Sequence, residues 1–430
     1  MEILNSIPAL VKILTVFFFV VVLIRLKIHI TISLFIGSII LGLFFNMGIV
    51  SITVTILREI SRSAVILLAL VIFLILLLSY LMKETGIISG MVSSFSGIAG
   101  SRRLTAATFP AIIGLLPMPG GAVFSAPMVE KYDEASKLAP ETKTAVNYWF
   151  RHIWEYWWPL YPGVLLAVFV FKIELLTYIA YAFPLTLVAV LGGFIFIFRG
   201  IKEKLPAIKE RKGMRIFIMS IMPIILVIGG LIIFEMVVRI IQTVKPFQLE
   251  NIKYIRIIFG LLLAVAYVIK IKSIRIQSFR MFFSNIKNYL ILSLIFGVSA
   301  FTGILQGSGG IEQVLIEMDK WGIPPILLFI SMPFLTGFIT GLAIGFVGLS
   351  FPLVYALYSG YFGEQSVYAY AILAYGFGYM GMMTSPLHVC LILTCDYFKA
   401  KYRGVYKILL LPVILVLAAT VGLFFLYRLI

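Results

Sequence analysis

Three side chains that could do chemistry inside a membrane fall within five residues of one another. Arg151, His152 and Glu155 occur in the apolar run NYWFRHIWEYWWPLYPGVLLA (147–167). A fourth, His388, occurs in YGFGYMGMMTSPLHVCLILT (375–394). Ionisable groups are costly in hydrocarbon, so each marks either a functional position or a neutralised pair. Arg151 and Glu155 stand at i, i+4, the spacing of a self-neutralising helical pair. The same residues allow a second role, in which Arg151 neutralises an anionic substrate and Glu155 or His152 carries a coupled proton. His388 reads as a hydrogen-bonded structural histidine or as a substrate contact. The two cysteines, Cys390 and Cys395, lie in the same apolar run and imply neither a disulfide framework nor a metal site.

The elements that must position these groups are broken. RLTAATFPAIIGLLPMPGGAVFSAPMVEK (103–131) is interrupted by Pro117, Pro119, Gly120 and Gly121. The segment before the break is about 13 residues, roughly 20 Å as a helix, too short for a hydrocarbon core of about 30 Å. This reads as a re-entrant hairpin that turns at mid-depth, where irregular backbone persists only if it lines a cavity or is buried in protein. PPILLFISMPFLTGFITGLAIGFVGLSFPLVYAL (324–357) repeats the design around Thr340-Gly341. Landmarks recur at nearly constant offsets: Gly86 with Gly310 at 224, Pro110 with Pro333 and Gly114 with Gly337 at 223, and Gly120 with Gly345, Ser125 with Ser350 and Pro127 with Pro352 at 225. Such a run suggests an internal duplication. The apolar runs at 147–167 and 375–394 are predicted to break between Pro159 and Gly163 and near Thr384-Ser385-Pro386. Each break and each tip leaves a half-helix N-terminus at membrane depth, whose free N–H groups and positive dipole end favour an anion. The unwound carbonyls before each break suit Na⁺. The candidate substrate ligands are therefore Gly120, Gly121, Ser125, Thr340, Gly341, Thr384, Ser385, Arg151 and His388. Glu155 and His152 are the candidates for ion coupling. Trp149 reads as an interface residue, and Trp157 and Trp158 as walls of the cavity.

The 430 residues are 62% hydrophobic and 12% charged, far from a soluble balance. The expected fold is an all-α polytopic membrane protein with about ten spans and two re-entrant hairpins. Spans are expected near 9–25, 29–46, 63–82, 145–171 and 176–198 in a first repeat covering 1–198. A charged linker at 199–215 follows. The second repeat, 216–430, has spans near 216–238, 254–270, 288–305, 367–395 and 405–428. Short amphipathic pieces are expected at 87–100 and 310–320. Five crossings per half put homologous halves in opposite orientations, an inverted-topology repeat. Of the 35 Lys and Arg residues, 24 fall on one set of alternate loops and ten on the other. The positive-inside rule then places both termini outside. The net charge of +17 tracks these loops and implies no nucleic-acid partner; the partners expected are membrane lipid and a small anion. Glu2 and the lack of a cleavage site mark the first span as a retained helix.

The paired hairpins and broken spans, with PMPGGA (117–122) and TSPLH (384–388), resemble the ion-transporter superfamily. That group includes gluconate permeases, citrate and dicarboxylate carriers and the arsenite pump membrane subunit. Within it the sequence is most similar to a branch of prokaryotic membrane proteins carrying a domain of unknown function. The Ser-Asn-Thr tip signature of the dicarboxylate carriers is replaced here by Pro-Met-Pro-Gly-Gly and Thr-Gly-Leu-Ala, so the resemblance does not carry a substrate. It implies a multi-pass protein of the prokaryotic inner membrane, a homodimer, and secondary active transport of a small organic anion coupled to Na⁺ or H⁺. The alternatives are an ion channel and the membrane subunit of an efflux pump. No enzyme is expected: the chain has no G-x-S-x-G nucleophile, no paired-aspartate dyad and no H-E-x-x-H zinc ligands. No P-loop is present either, and no cofactor is expected beyond Na⁺ as a coupling ion.

Overall fold

A computed structural model describes residues 6–95, 102–118, 120–133, 138–199, 214–244, 251–272 and 274–429. Tip residue Pro119, residues 200–213 of the expected linker at 199–215 and the end of the piece at 87–100 lie outside the described residues. All regular structure among the described residues is helical.

The long apolar runs form α1 (Ala9–Arg25), α2 (Ile30–Phe44), α4 (Ser63–Glu84), α11 (Met214–Val244), α12 (Ile252–Lys272) and α14 (Ile286–Gly307). These pack on one another, α14 against α2 and α4, and α12 against α4 and α11. The amphipathic pieces are α5 (Ile87–Phe95) and α15 (Gly310–Trp321). Two further short helices, α3 (Ile49–Ile60) and α13 (Ile276–Ser284), occupy stretches expected only to connect spans. On α3 Ile49, Val50, Val54 and Leu57 face outward while Ile52 is buried, as in a helix lying along an apolar interface.

A second group holds the broken elements: α6 (Arg102–Gly114), α7 (Ala122–Asp133), α8 (Pro140–Arg151), α9 (Pro162–Val170) and α10 (Leu175–Gly192, continued by a π turn to Ile197). It is completed by α16 (Ile326–Thr340), α17 (Ala343–Tyr361), α18 (Val367–Met383), α19 (Val389–Phe398) and α20 (Tyr402–Arg428). Here α6 packs on α7 and α8, α16 on α17 and α18, α9 on α17, and α19 on α7 and α8. The buried Arg256 of α12 pairs with Glu235 of α11 and with Glu174, the N-cap of α10, and so ties the two groups together.

Among the described residues seven helices are long and apolar enough to cross a bilayer, or eight if α15 and α16, bent by 115° to each other, count as one span. The protein is thus a multi-pass membrane protein. The remaining expected crossings rest on shorter helices, 17 residues in α1 and 15 in α2, and on the broken pairs. The half-length arms expected of the hairpins hold for α6, α7 and α16, with 13, 12 and 15 residues. The fourth arm differs. α17 has 19 residues, about 28 Å by helical rise, long enough to cross by itself. Helix starts recur through the chain: Ser63 and Ile286, and Ile87 and Gly310, are 223 apart, while Ile49 and Ile276, Pro162 and Val389, and Leu175 and Tyr402 are 227 apart.

Candidate functional site

Both predicted breaks are present. The first falls earlier than expected: α8 ends at Arg151, and residues 152 to 161 form a string of turns before Pro162 opens α9. The second lies between Met383 and Val389. An unwound stretch at membrane depth must satisfy its backbone within the protein, and aromatic side chains do this. Tyr379 and Tyr375 of α18 donate hydroxyl bonds to His152 O (2.6 Å) and Glu155 O (2.8 Å). Thr186 donates to Ile153 O and Tyr178 to Tyr156 O. Tyr148 of α8 returns the contact across the site, donating to Met383 O (2.9 Å). Four carbonyls of the first break, those of His152, Ile153, Glu155 and Tyr156, thus accept protein hydroxyls.

The same segment caps the first hairpin. The last carbonyls of a helix lack intrahelical donors; at the end of α6, Trp154 Nε1 donates to Ala111 O, Trp158 Nε1 to Leu115 O and Tyr161 Oη to Gly114 O. The tryptophan crowd thus has a different role from the one expected. Trp149 is 2% exposed and donates to Ala189 O, a core residue rather than an interface one. Trp157 donates to Thr186, and neither it nor Trp158 lines the cavity.

Between the tips and breaks lies a cavity of about 160 Å³. Gly120 and Gly341, the turn glycines of the two hairpins, both line it and both have positive φ, +72° and +63°. The first residues of three helices line it too: Pro162 and Gly163 of α9, Ala343 and Ile344 of α17, and Val389 and Cys390 of α19. With Gly120 just before α7, four helix N-termini converge on one space. Arg151, His152, Glu155 and His388 complete the wall, at 2%, 2%, 6% and 6% exposure.

Arg151 donates through Nη2 to Met118 O at the first tip (2.8 Å), and its Nη1 lies 3.7 Å from Glu155 Oε1. Its Nε is buried without a partner among the described residues. Gly121 is not on the wall; its backbone lies directly against the guanidinium, where any Cβ would collide. His152 donates from Nδ1 to Tyr148 O (2.6 Å), which leaves Nε2 as a lone pair 3.2 Å from His388 Nε2.

The structure does not bring the four expected hydroxyls to the cavity. Ser125 bonds Ala122 O, Thr340 bonds Thr336 O, Thr384 bonds Met380 O and Ser385 bonds Phe338 O. Each is spent on helical or inter-helical backbone, the usual fate of a hydroxyl that has an accessible carbonyl one turn back. Met118, Tyr161 and Cys390 are among the wall residues that were not anticipated. Tyr161 and Met118 carried no readable signal. Cys390 did, standing two residues after His388 at the mouth of a half-helix.

A family described as "Protein of unknown function (DUF401)" matches residues 9–427. The chain belongs to the DUF401 family. No curated protein matches the sequence. Among solved structures, this DUF401 chain is similar to MtrF of Neisseria gonorrhoeae, described as illuminating a class of antimetabolite efflux pumps. The TM-score is 0.63 at 14% identity, over 89% of this chain and 85% of MtrF. The likeness is one of fold, and it spans both groups of helices in the DUF401 chain.

Proposed function

We propose that this protein is a secondary active transporter of a small organic anion. The observation that carries the reading is the single cavity between two hairpin tips and two broken helices, with Arg151 buried in its wall and four helix N-termini turned towards it. Fixed positive charge and free N–H groups in a water-poor space select an anion. A site at membrane depth built from discontinuous helices is the arrangement that alternating access requires. The shared fold with an antimetabolite efflux pump supports a membrane transporter and leaves the direction of flux open. His152, Glu155 and His388 on the wall favour H⁺ over Na⁺ as the coupling ion, since each can gain or lose a proton as the anion binds.

In this reading residues 1–198 and 216–430 are inverted repeats joined by a cytoplasmic linker, both termini lie outside the inner membrane, and the unit is a homodimer. Single cysteines replacing Lys272 and Lys401 are expected to be shielded from a membrane-impermeant thiol reagent in intact cells, and those replacing Lys172 and Glu364 to react. Native Cys390 and Cys395 are buried and give little background. The reverse labelling would invert the orientation, and a mixed pattern would break the repeat.

The function itself is tested by a thermal-shift screen of the purified protein against carboxylates, sugar acids and oxyanions, at two pH values and with and without Na⁺. Ligand at a hundred times its Kd stabilises the folded state by about 2.7 kcal/mol, a readily measured shift. Hits are then reconstituted into liposomes. Accumulation against a gradient, driven by an imposed pH difference, is the expected result; passive conductance without coupling would make the protein a channel instead.

A further inference from the structure

One ring nitrogen of His152, one of His388 and Cys390 Sγ all lie within 4.8 Å of one another, and all three residues are buried. We propose that they form a binding site for one transition-metal cation of the Zn²⁺ class, opening onto the cavity. Two imidazoles and a thiolate are the donor set preferred by Zn²⁺ and its soft neighbours, and not by Mg²⁺ or Ca²⁺. The spacing fits. Two Zn–N bonds of about 2.05 Å at a tetrahedral angle place their nitrogens about 3.3 Å apart, against 3.2 Å between the two Nε2 atoms.

The protonation pattern points the same way. His152 donates Nδ1–H to Tyr148 O, the backbone anchor that commonly holds a metal-bound imidazole in the correct tautomer. Its Nε2 lone pair faces His388. A hydrogen between the two rings would then belong to His388 Nε2; the other ring nitrogen, Nδ1, is buried with no hydrogen-bond partner among the described residues. Metal binding calls for the other tautomer of His388. The hydrogen moves to Nδ1, both Nε2 lone pairs bind the cation, and the Cys390 thiol gives up its proton to solvent as the metal–sulfur bond forms.

Glu155 Oε1, 3.8 Å from His152 Nε2, is placed to approach the fourth position, which otherwise takes water or an anion from the cavity. Three protein ligands with one open position is the arrangement of a reactive or exchanging site rather than a closed structural one. Arg151 Nη1 is 3.5 Å from His152 Nε2, and this fixed positive charge opposes the metal. The Cys390 thiolate and the Glu155 carboxylate balance the two charges of the cation, so occupancy depends on both.

The test is direct binding to the full-length protein in detergent with a non-thiol reductant, and it does not depend on what the cavity transports. Zn²⁺ titrated calorimetrically is expected to bind one per chain, releasing about one proton from the thiol as measured in buffers of differing ionisation heat. Cys390→Ser is expected to weaken binding by at least about tenfold, the lower end of what even outer-shell changes cost a metal site. Cys395→Ser leaves it unchanged. Co²⁺ supplied to the unmodified protein provides a readout that needs no variant: a tetrahedral visible spectrum with a thiolate charge-transfer band. Absence of saturable Zn²⁺ binding, equal affinity in Cys390→Ser, or a Co²⁺ spectrum without the thiolate band would each overturn the proposal.

Discussion

Gly341→Val is expected to abolish ligand binding and transport while the protein remains inserted in the membrane. Gly341 closes α16 with φ +63°, a region that a β-branched residue adopts only under strain, at about 1–2 kcal/mol. Its surroundings make matters worse. A Cβ there would sit 2.9 Å from His388 N and from Leu387 C. Those atoms are backbone of the second break and cannot swing aside, so overpacking adds about 1–3 kcal/mol. The strain is relieved only if the tip or His388 moves, and both line the cavity. Gly309 provides the control. It has nearly the same φ, +66°, but nothing within 4 Å of an added Cβ. Gly309→Val should therefore carry the backbone strain alone, lowering the apparent melting temperature while transport persists. Normal transport by Gly341→Val would show that substrate does not bind at the tip.

The parts of this architecture that were legible in the sequence are those set by local chemistry. Proline and glycine within apolar runs announce breaks wherever they fall, which is why both tips and both interrupted spans were readable, and why Gly120 and Gly341 were, whereas the full length of α17 was not. Charged residues in hydrocarbon announce themselves as well, and Arg151, His152, Glu155 and His388 do line one cavity. Hydroxyls do not behave this way. Ser125, Thr340, Thr384 and Ser385 stand beside the breaks, but each has a backbone carbonyl within reach, and spacing gives no sign of which acceptor wins. The clamp between Tyr379 and His152 O, or between Trp158 and Leu115 O, joins residues 227 and 43 positions apart. No periodicity encodes such pairs. Likewise, α3 and α13 are too short to register as spans, although the outward-facing Ile49, Val50, Val54 and Leu57 of α3 give it the one-sided pattern of an interfacial helix. Trp149 fits the composition of an interface belt but is enclosed by α10, and only packing distinguishes the two cases.

The second large effect concerns Arg151. Arg151→Met removes the fixed positive charge from the wall and should eliminate accumulation of the anion. It also leaves Glu155 as a carboxylate at 6% exposure without its cation, and breaking a buried pair from one side costs about 3–5 kcal/mol. A loss of transport in the single variant could therefore reflect either recognition or stability. The double variant separates them. Arg151→Met with Glu155→Gln has no unpaired charge, so its melting temperature should return towards that of the unmodified protein, as buried ion pairs replaced by neutral groups commonly do. If Arg151 holds the substrate, this stable double variant still gives no ligand-induced thermal shift and no accumulation. Glu155→Gln alone then reports on coupling. It retains Arg151 and its bond to Met118 O, so substrate exchange between equal pools should continue. Accumulation driven by a pH difference should disappear, because the glutamine cannot carry the proton. A double variant that recovers both stability and accumulation would reduce Arg151 and Glu155 to a structural pair, and recognition of the anion would have to rest on the helix N-termini alone.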